Sequence, residues 1–397
     1  MNLDDRLGRI LYCNTLSYLD SSSGAAVASR CMMEKLHRLG FAVEAFTGGV
    51  SETHRDQQPD TSLVRNHDPA IARIVIGGVS LTTYSGFQEG VPKSECPQAA
   101  EFLATFDAIF ERFRPHVLIN FGGDPLSAAI RAFAKSFGAL VVFPIHNLDY
   151  FSAEPFTGAD AVIVPSRYAA DHYRQTLGLD PIILPNAVNL DRAMAVARDP
   201  KYLTFVNPSH QKGVYVFARI ADELALSRLD IPLLVVESRG SERTLAGCGL
   251  DLAGNGNVSL MSHTSDPRQF WGVTKLCLMP SLCRESQGLV AVEAMLNGIP
   301  VVASDRGALP ETLGRSGVIL SLPEWMSPRT RVLPTAREVR RWVDEVIDLW
   351  DDPVRYEEQR NLSFVEASRW KTEVTDAHYG ELFRRLTVEA YNRSELQ

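Results

Sequence analysis

Short apolar runs rich in β-branched residues alternate with amphipathic helical patterns along nearly the whole chain. This alternation is typical of βαβ units, in which helices cover both faces of a parallel sheet. At 397 residues the chain exceeds the usual size of one hydrophobic core. The pattern therefore predicts an α/β protein of two doubly wound domains that face each other across a ligand-binding cleft.

The predicted elements form two sets. Strands are predicted at residues 10–14, 42–47, 71–76, 117–120, 140–143, 161–164 and 182–184, and then at 203–207, 233–237, 258–261, 276–279, 301–304 and 318–320. The polar, proline-containing stretch 185–201 separates the sets. We therefore predict a first domain over residues 1–187 and a second over residues 200–371. The helical segment 365–390 carries Trp370, Tyr379, Leu382 and Phe383 on what could be one apolar face. A C-terminal helix at about 372–397 is expected to pack back on the first domain.

Composition excludes several classes of protein. The formal net charge of −8 argues against general binding to nucleic acid, and the cluster Arg30, Lys35, His37 and Arg38 is interpreted as the solvated face of a helix. No apolar run is long enough for a transmembrane segment, and the polar start of the chain favours a cytoplasmic protein. The six scattered cysteines lack zinc-ligand spacing and are expected to be reduced and mostly buried.

The segment from Pro280 to Asp305, PSLCRESQGLVAVEAMLNGIPVVASD, is the most informative part of the chain. It predicts a strand, a loop, a helix that begins just after Glu285, a turn and a second strand. The free N–H groups and positive dipole end of such a helix form an anion site suited to a pyrophosphate. Gly288, placed in the first turn, would allow a ligand to approach the backbone closely.

Two acidic residues flank this helix start. Glu285 could bind the hydroxyls of a sugar, and Glu293, predicted about two turns inside the helix, could accept hydrogen bonds from the two hydroxyls of a ribose. The alternatives are a first-turn carboxylate favoured by the helix dipole for Glu285 and a surface residue of an amphipathic helix for Glu293. Their separation argues against an acid and base couple.

The whole segment resembles the Glu-x7-Glu signature of the family-4 retaining glycosyltransferases, and further landmarks resemble the same family in the same order. These landmarks are Ser23-Gly24, Asn120 to Asp124, His146, Ala159 to Ser166, Pro185 to Asn189, the Gln211-Lys212-Gly213 triplet and Leu309-Pro-Glu311. Two departures stand out. Only one glycine of the usual pair is present at Ser23-Gly24, and Asn207 stands where the family commonly has an arginine, so that Arg239 and Arg284 are candidates to replace it.

The resemblance implies a GT-B fold of two Rossmann-like domains, with the nucleotide sugar on the second and the acceptor on the first. The donor is expected to be a UDP- or GDP-linked sugar, transferred with retention of configuration and without a metal ion or other cofactor. The implied catalytic residues are His146, Lys212 and Glu285. The donor-binding residues assigned on this basis are Gly24, Lys212, Arg239, Arg284, Glu285, Ser286, Gln287, Gly288, Leu289, Val290 and Glu293.

Lys212 would neutralise the leaving diphosphate beside a helix N-terminus, whereas taken alone it would be interpreted as an exposed loop lysine. His146 alone would be a histidine satisfied at a strand end. No carboxylate pair stands in a loop that would hold Mg²⁺, since Asp351-Asp352 fits a solvated helix end.

The acceptor is the least constrained part of the prediction. Tyr18, Asn147 and Tyr150 are assigned to acceptor binding, although aromatic side chains in such loops are more often core. The acidic balance favours a small soluble acceptor with a hydroxyl or a thiol, in natural-product or cell-surface glycan biosynthesis. Two alternative functions stay open: a nucleotide-sugar epimerase and a non-catalytic nucleotide-sugar binding protein. The oligomeric state is also open, and a homodimer is possible.

Overall fold

The computed structural model describes residues 7–49, 64–65, 70–87, 93–252, 254 and 256–394. These residues divide into two compact units. The first unit contains the described residues of 1–187 and 372–397, and the second contains those of 188–371. Each unit is built around one twisted sheet.

Fifteen strands lie in the described residues. In chain order they are β1 (Arg9–Asn14), β2 (Ala42–Gly48), β3 (Val64–Arg65), β4 (Ile71–Ile76), β5 (Val79–Tyr84), β6 (Val117–Ile119), β7 (Leu140–Pro144), β8 (Ala161–Val164), β9 (Ile182–Ile183), β10 (Tyr202–Val206), β11 (Leu233–Val236), β12 (Val258–Met261), β13 (Thr274–Met279), β14 (Val301–Ser304) and β15 (Val318–Leu320).

Thirteen α-helices lie in the same part of the chain. They are α1 (Gly24–Arg38), α2 (Ala99–Phe113), α3 (Pro125–Ser136), α4 (Arg167–Leu177), α5 (Leu190–Ala193), α6 (Val214–Ser227), α7 (Glu242–Ala246), α8 (Arg268–Trp271), α9 (Leu289–Leu296), α10 (Leu309–Leu313), α11 (Ala336–Asp351), α12 (Pro353–Ala367) and α13 (Thr372–Ser394).

The sheet of the first unit has the order β3-β4-β5-β2-β1-β6-β7-β8-β9. It is parallel except at one edge, where β4 pairs antiparallel with both β3 and β5. The sheet of the second unit is wholly parallel, with the order β12-β11-β10-β13-β14-β15. In both sheets the strand order reverses beside the first strand of the unit, and ligands of doubly wound folds bind at the carboxyl edge of such a reversal.

Both faces of the second sheet are buried, which explains its almost uninterrupted apolar strands. Along β11, Leu233 and Val235 pack into the core formed with α6 and α11, while Leu234 and Val236 pack into the opposite core formed with α9. The first sheet divides in the same way, since Ile10 of β1 belongs to a different core from its neighbour Leu11. Successive side chains of a strand point to opposite faces, so each sheet supports two helical layers.

Helix starts are defined by polar caps. Asp124, Ser166 and Asp352 accept hydrogen bonds from backbone N–H groups in the first turns of α3, α4 and α12. These bonds satisfy donors that have no partner inside the helix. The Asp351-Asp352 pair therefore has structural partners, because Asp351 also forms an ion pair with Arg228 at 2.6 Å.

The C-terminal helix α13 completes the core of the first unit. Tyr379, Leu382 and Phe383 are buried there with Leu36 of α1. Trp370 does not share this face as expected: it precedes the helix and is buried in a core of the second unit. The apolar pattern thus includes residues of both units: Trp370 belongs to the end of the second unit, and the other three belong to helix α13 of the first.

In the cationic cluster on α1, the prediction of a solvated position was wrong for Lys35, whereas Arg38 is exposed as predicted. Lys35 is 1% exposed instead of solvated. Its ammonium group donates to the Thr375 hydroxyl at 2.8 Å and pairs with the Asp376 carboxylate, both at the start of α13. A buried ammonium needs such partners because desolvation of an isolated charge is costly.

Among the helices in the described part of the chain, none combines the length and apolarity needed to cross a lipid bilayer.

Candidate active site

The candidate site of the second unit lies at the carboxyl edge of its sheet, in the loops that follow β10, β11 and β13. The loop after β13 is tied to the loop after β10, because the N–H groups of Leu282 and Cys283 both donate to the carbonyl of Gln211, at 2.9 and 3.0 Å. Gly213 is required in this junction. Its φ is +83°, and a Cβ there would lie 1.9 Å from the carbonyl oxygen of Pro280. The close contact holds Lys212 beside residues 280–285.

Lys212 and Glu285, predicted separately as donor-site residues, form an ion pair. The Lys212 Nζ lies 2.5 Å from Glu285 Oε1, and the Ser281 hydroxyl donates to the same oxygen at 2.8 Å. The half-buried Cys283 thiol lies 3.8 Å from that oxygen, whereas the other five cysteines are buried. Glu285 Oε2 accepts no hydrogen bond from any side chain that the structure describes. One oxygen is thus fixed by the protein and the other is left for a ligand.

Burial and pairing act against each other on this ion pair. Burial disfavours the charge of Lys212, but the negative charge of Glu285 more than compensates, so the pKa of Lys212 is raised. Burial likewise acts to raise the pKa of Glu285, yet the Lys212 charge and the hydrogen bonds lower it overall. Both groups are therefore ionised over the whole neutral range.

The helix of this segment begins later than predicted. It starts at Leu289, and Gly288 is its N-cap with a φ of +84°. This positive φ favours glycine independently of any ligand, and a Cβ at position 288 would also lie 2.7 Å from Leu309 Cδ2. Within the described residues, the backbone N–H groups of Leu289 and Val290 donate to no protein acceptor. This is the arrangement of an anion site at a helix N-terminus.

Glu293 lies about one turn inside α9 instead of two. It is half-buried, which argues against the interpretation as a fully solvated surface residue. The indole N–H of Trp271 donates to its Oε2 at 3.1 Å. Burial raises the pKa of the Glu293 carboxyl to about 7, an effect that the Trp271 hydrogen bond opposes. Ser286 is half-buried and Gln287 buried in the loop before the helix, with the carbonyl of Gln287 accepting from Thr312 at 2.5 Å.

Asn207, at the position of the expected arginine, has a structural role of its own. It adopts a left-handed conformation with a φ of +64°, which asparagine tolerates better than most residues. Its side-chain oxygen accepts from the N–H of Gly240 at 2.9 Å, joining the loops after β10 and β11. Arg239, next to Gly240, is exposed at this sheet edge, and Arg284 is exposed in the loop after β13. Two cationic side chains therefore lie in the loops around Lys212.

In the first unit, His146 follows β7 at the carboxyl edge of the sheet. Its Nε2 lies 3.4 Å from the Ser29 hydroxyl of α1, and its ring packs edge-on against Phe121, with 4.8 Å between centroids. Burial lowers the pKa of His146 to about 4, so the imidazole is neutral at pH 7. Neutral imidazole can serve as a hydrogen-bond donor or acceptor to a sugar.

The residues assigned to acceptor binding have different surroundings. Tyr18 is wrong as a stacking platform, because its ring is fully buried and packs against Tyr12 at 5.7 Å. Tyr150 is half-buried between Phe143 and Phe156, and burial raises its pKa to about 12. Asn147 is exposed, with its backbone carbonyl accepting from a tyrosine hydroxyl at 3.0 Å.

Gly24 is the first residue of α1 and is exposed, with Ser23 as the N-cap. A Cβ at position 24 would have no protein atom within 4 Å. Protein packing therefore does not require glycine here, in contrast to Gly288.

Trp271, Ser281 and Cys283 were missed by sequence reasoning. Ser281 and Cys283 stand four and two residues before Glu285, so their proximity was a usable signal. Trp271 is 22 residues before Glu293, on a four-residue helix, and only the three-dimensional fold reveals their contact.

The comparisons with known proteins agree with this architecture. A family model described as "Glycosyl transferases group 1" matches residues 200–351, and one described as "Glycosyltransferase Family 4" matches residues 22–192. The two matches fall in the second and the first unit, apart from a few residues at the junction.

Two curated relatives align with about half of the chain. A lipopolysaccharide 1,2-N-acetylglucosaminetransferase of Salmonella typhimurium is 28% identical over 197 residues, which are 47% of this chain and 49% of the relative. A GDP-mannose-dependent monoacylated alpha-(1-6)-phosphatidylinositol monomannoside mannosyltransferase of Corynebacterium glutamicum is 23% identical over 222 residues, 50% of this chain and 55% of the relative. The chain thus spans about half the length of these curated relatives.

Solved structures are similar over nearly their full length. Sucrose-phosphate synthase from Thermosynechococcus elongatus has a TM-score of 0.67 at 18% identity, with 95% of this chain and 99% of that chain covered. Anabaena HepE in complex with UDP-glucose has a TM-score of 0.66 at 15% identity, with the same coverage. The pneumococcal O-GlcNAc transferase GtfA, in complex with UDP and GlcNAc, has a TM-score of 0.68 at 12% identity, with 97% and 99% covered.

The chain has two doubly wound units, and the N-terminus of α9 lies at the carboxyl edge of the sheet of the second unit. Together with the similarity to the solved structures, these features define a protein of the GT-B fold. Taken with the two family matches, the chain belongs to the family-4-like glycosyltransferases of this fold. The predicted GT-B fold and the predicted resemblance to family-4 glycosyltransferases are confirmed.

Proposed function

We propose that the chain is a retaining glycosyltransferase that moves a sugar from a UDP- or GDP-linked donor to a hydroxyl or thiol of a small acceptor, without a metal ion. The observation that carries the proposal is the arrangement around α9. The loop before α9 and α9 itself contain a glutamate in an ion pair with Lys212, a helix start with unused N–H groups and a half-buried carboxyl.

The second unit is proposed to bind the donor. Its loops offer groups suited to each part of a nucleotide sugar: a cation and free N–H groups for the diphosphate, and carboxylate oxygens without a protein donor for hydroxyls. We assign Lys212 and the start of α9 to the diphosphate, the free oxygen of Glu285 to the sugar, and Glu293 to the ribose. HepE and GtfA, which share the fold, have been solved with UDP-containing ligands, and the corynebacterial relative is named for GDP-mannose, which supports both donor classes.

In the proposed reaction, the bond between the anomeric carbon and the diphosphate oxygen breaks as the acceptor oxygen or sulfur bonds to the same face of that carbon. The acceptor proton passes to the departing phosphate, so no side chain is assigned as the base. Lys212 and the helix N–H groups stabilise the negative charge that develops on the diphosphate, which is the largest contribution a protein makes to such a step. Arg239 and Arg284 are proposed to add charge where the family usually has one arginine.

The first unit is proposed to bind the acceptor. His146, neutral at working pH, is assigned to contact the transferred sugar, and Asn147 and Tyr150 to contact the acceptor. The relatives are named for a lipopolysaccharide and a phosphatidylinositol mannoside, so an amphiphilic glycan is the competing acceptor class.

The proposal is tested by incubating the purified chain with UDP-, GDP- and TDP-sugars, each with and without small-molecule and glycolipid acceptor pools, and by following nucleotide release. Acceptor-dependent release is expected, with the product anomer matching the donor by NMR. Release without an acceptor, or an isomerised donor, would favour an epimerase, and binding without turnover would favour a binding protein. If nucleotide is released only with the glycolipid pool, the proposed acceptor class changes from a small molecule to a glycolipid.

Metal independence has its own test. Groups of three or more His, Cys, Asp and Glu side chains that could hold a metal are absent from the residues that the structure describes. Turnover is expected to be unchanged in EDTA after exhaustive dialysis. A loss that Mg²⁺ or Mn²⁺ restores would contradict this part of the proposal.

A further inference from the structure

Trp271 lies beneath the candidate donor site and has one polar contact. Its ring is fully buried in the core that includes α9 and packs against Phe270, with 4.7 Å between centroids. The only polar atom of its side chain, Nε1, donates to Glu293 Oε2 at 3.1 Å. A buried indole N–H normally has a partner, and this partner is the carboxyl that we assign to the ribose.

Glu293 is held from one side only. Its second oxygen, Oε1, accepts no hydrogen bond from any residue in the described ranges, and the carboxyl forms no ion pair there. The residue is half-buried, so part of it is accessible to solvent or a ligand. Glu285 has the same pattern, with one oxygen held by Lys212 and Ser281 and the other unbound.

We propose that Trp271 is a positioning residue of the donor site, which fixes one oxygen of Glu293 so that the other accepts hydrogen bonds from the ribose hydroxyls. The inference rests on the proposed function of the second unit. A glutamate on a helix surface would otherwise sample several rotamers, and fixing it before the ligand arrives removes that ordering cost from binding.

The contact also sets the charge of Glu293. Burial raises the pKa of this carboxyl to about 7, and the indole N–H is the group that favours its ionised form. Among the elements packed against α9, β13 brings the Cys277 thiol close to the carboxyl; burial, with Glu293 contributing, raises the pKa of that thiol, so it stays neutral. Of the other elements packed against α9, β14 has no charged side chain, and the charged side chains of α10 and α12 do not contribute to the pKa shift of the Glu293 carboxyl. Donor affinity should therefore rise with pH through about 7 and level off above it.

Trp271→Phe removes the N–H and keeps an aromatic ring in the core. Phe270→Leu is the matched control, since it reduces packing on the same short helix without touching the hydrogen bond. The titration of Glu293 is followed by NMR in free protein that carries ¹³C-labelled glutamate, with Glu293→Gln to assign the signal.

We expect Trp271→Phe to raise the midpoint of Glu293 by about one pH unit, because a charge-assisted hydrogen bond to the ionised form is lost. Phe270→Leu should leave the midpoint in place. Donor KM at pH 7 should rise at least about fivefold in Trp271→Phe, since about a tenth of the carboxyl is ionised one unit below its midpoint. At pH 9 the variant's KM should fall but stay above the wild-type value, because the cost of ordering Glu293 remains, with kcat at saturating donor unchanged. Equal midpoints in the two variants would overturn the proposal.

A measurement on the wild-type protein guards against a variant that fails to fold. The ¹⁵N-bound indole proton of Trp271 should titrate with the Glu293 midpoint, and this titration should disappear in Glu293→Gln. An indole signal that does not follow Glu293 would contradict the inference. If the indole and carboxyl titrate together but the wild-type protein binds no nucleotide sugar, the proposed function fails and not the contact between the two side chains.

Discussion

At the scale of single residues, Lys212 and Glu285 depend on each other, because removing either one leaves the charge of the other buried and unpaired. Glu285 is 8% exposed and its carboxylate is neutralised by one ammonium group. Breaking a buried pair from one side leaves an uncompensated charge, whereas removing both partners need not destabilise the protein. The pair can therefore separate a structural role from a catalytic one.

We predict that Lys212→Met lowers the free energy of unfolding by about 3 kcal/mol, since it strands the Glu285 carboxylate. The double variant Lys212→Met/Glu285→Gln should recover most of this loss in urea unfolding while nucleotide release stays at least about a hundredfold below wild type. Lys201→Met, at an exposed lysine, is the control and should change neither quantity. A double variant that regains activity would exclude the pair from the reaction.

The same pair predicts an acid limit. The pKa of Glu285 is lowered by folding, so its contribution to stability is present above the unfolded pKa of about 4.3 and is lost as the pH falls through the folded value. Differential scanning calorimetry should therefore give a steeper fall in Tm below pH 4 for the wild type than for Lys212→Met/Glu285→Gln. Parallel pH profiles for the two proteins would mean that the pair does not control acid stability.

His146 predicts a pH dependence of stability that arises from a buried neutral imidazole and not from an ion pair. Its pKa falls from about 6.5 in the unfolded chain to about 4 in the fold, so the unfolded state binds more protons between these values. Stability from this residue should rise with pH across this window, by at most about 1.4 kcal/mol per unit. Urea unfolding of His146→Gln between pH 4 and pH 6.5 should lack this component. An identical slope in both proteins would place the imidazole in solvent.

Some site residues could be predicted from the sequence and others could not. Glu285, Lys212 and His146 were assigned because they match family motifs in strand-loop-helix units. The structure brings Lys212 and Glu285 into contact, and the roles of all three in the reaction stay predictions. Tyr18 was placed in a loop correctly, but a sequence does not reveal that this loop folds its ring inward onto Tyr12.

At the scale of elements, the strands of the parallel sheets were predictable because each is a short, buried apolar run bounded by turns. The strand β5 was missed. It follows β4 after Gly77 and Gly78, and this antiparallel hairpin departs from the βαβ rhythm on which the prediction relied. The start of α9 was also placed too early, because the three residues between Glu285 and Leu289 have no pattern that separates loop from first turn.

Two glycines at helix starts should respond differently to substitution. Gly288→Ala should destabilise the protein by about 1–3 kcal/mol, because alanine would meet Leu309 and adopt a strained positive φ. Gly24→Ala should leave the unfolding free energy unchanged within about 0.5 kcal/mol, since no atom lies near its added methyl group. If Gly24 contributes to donor binding, as the family resemblance implies, this stable variant should nevertheless have a raised donor KM. An unchanged KM would remove Gly24 from the donor site.

At the scale of the whole molecule, the two units are interleaved in sequence, since α13 returns to the first unit after the second is complete. The hydroxyl of Tyr379 donates to the carbonyl of Pro185 at 2.9 Å and accepts from the N–H of Ala187 at 3.0 Å. The last helix therefore anchors the end of the segment that leaves the first unit.

Tyr379→Phe should lower the free energy of unfolding by about 1–3 kcal/mol, because both buried backbone groups at Pro185 and Ala187 lose their partner. Tyr391→Phe, at an exposed position of the same helix, should change it by less than about 0.5 kcal/mol. Equal losses in the two variants would show that the hydroxyl contacts at residues 185–187 contribute nothing.

The burial of Lys35 against Thr375 and Asp376 has a consequence for biosynthesis. A ribosome makes the chain from the N-terminus, so α1 emerges long before its partners at the start of α13 exist. Until α13 leaves the exit tunnel, the ammonium group and the apolar side chains around it must stay hydrated or be shielded by a chaperone. The first unit to be synthesised is thus the last to mature, and premature termination within α13 would release a nascent product with an unfinished core.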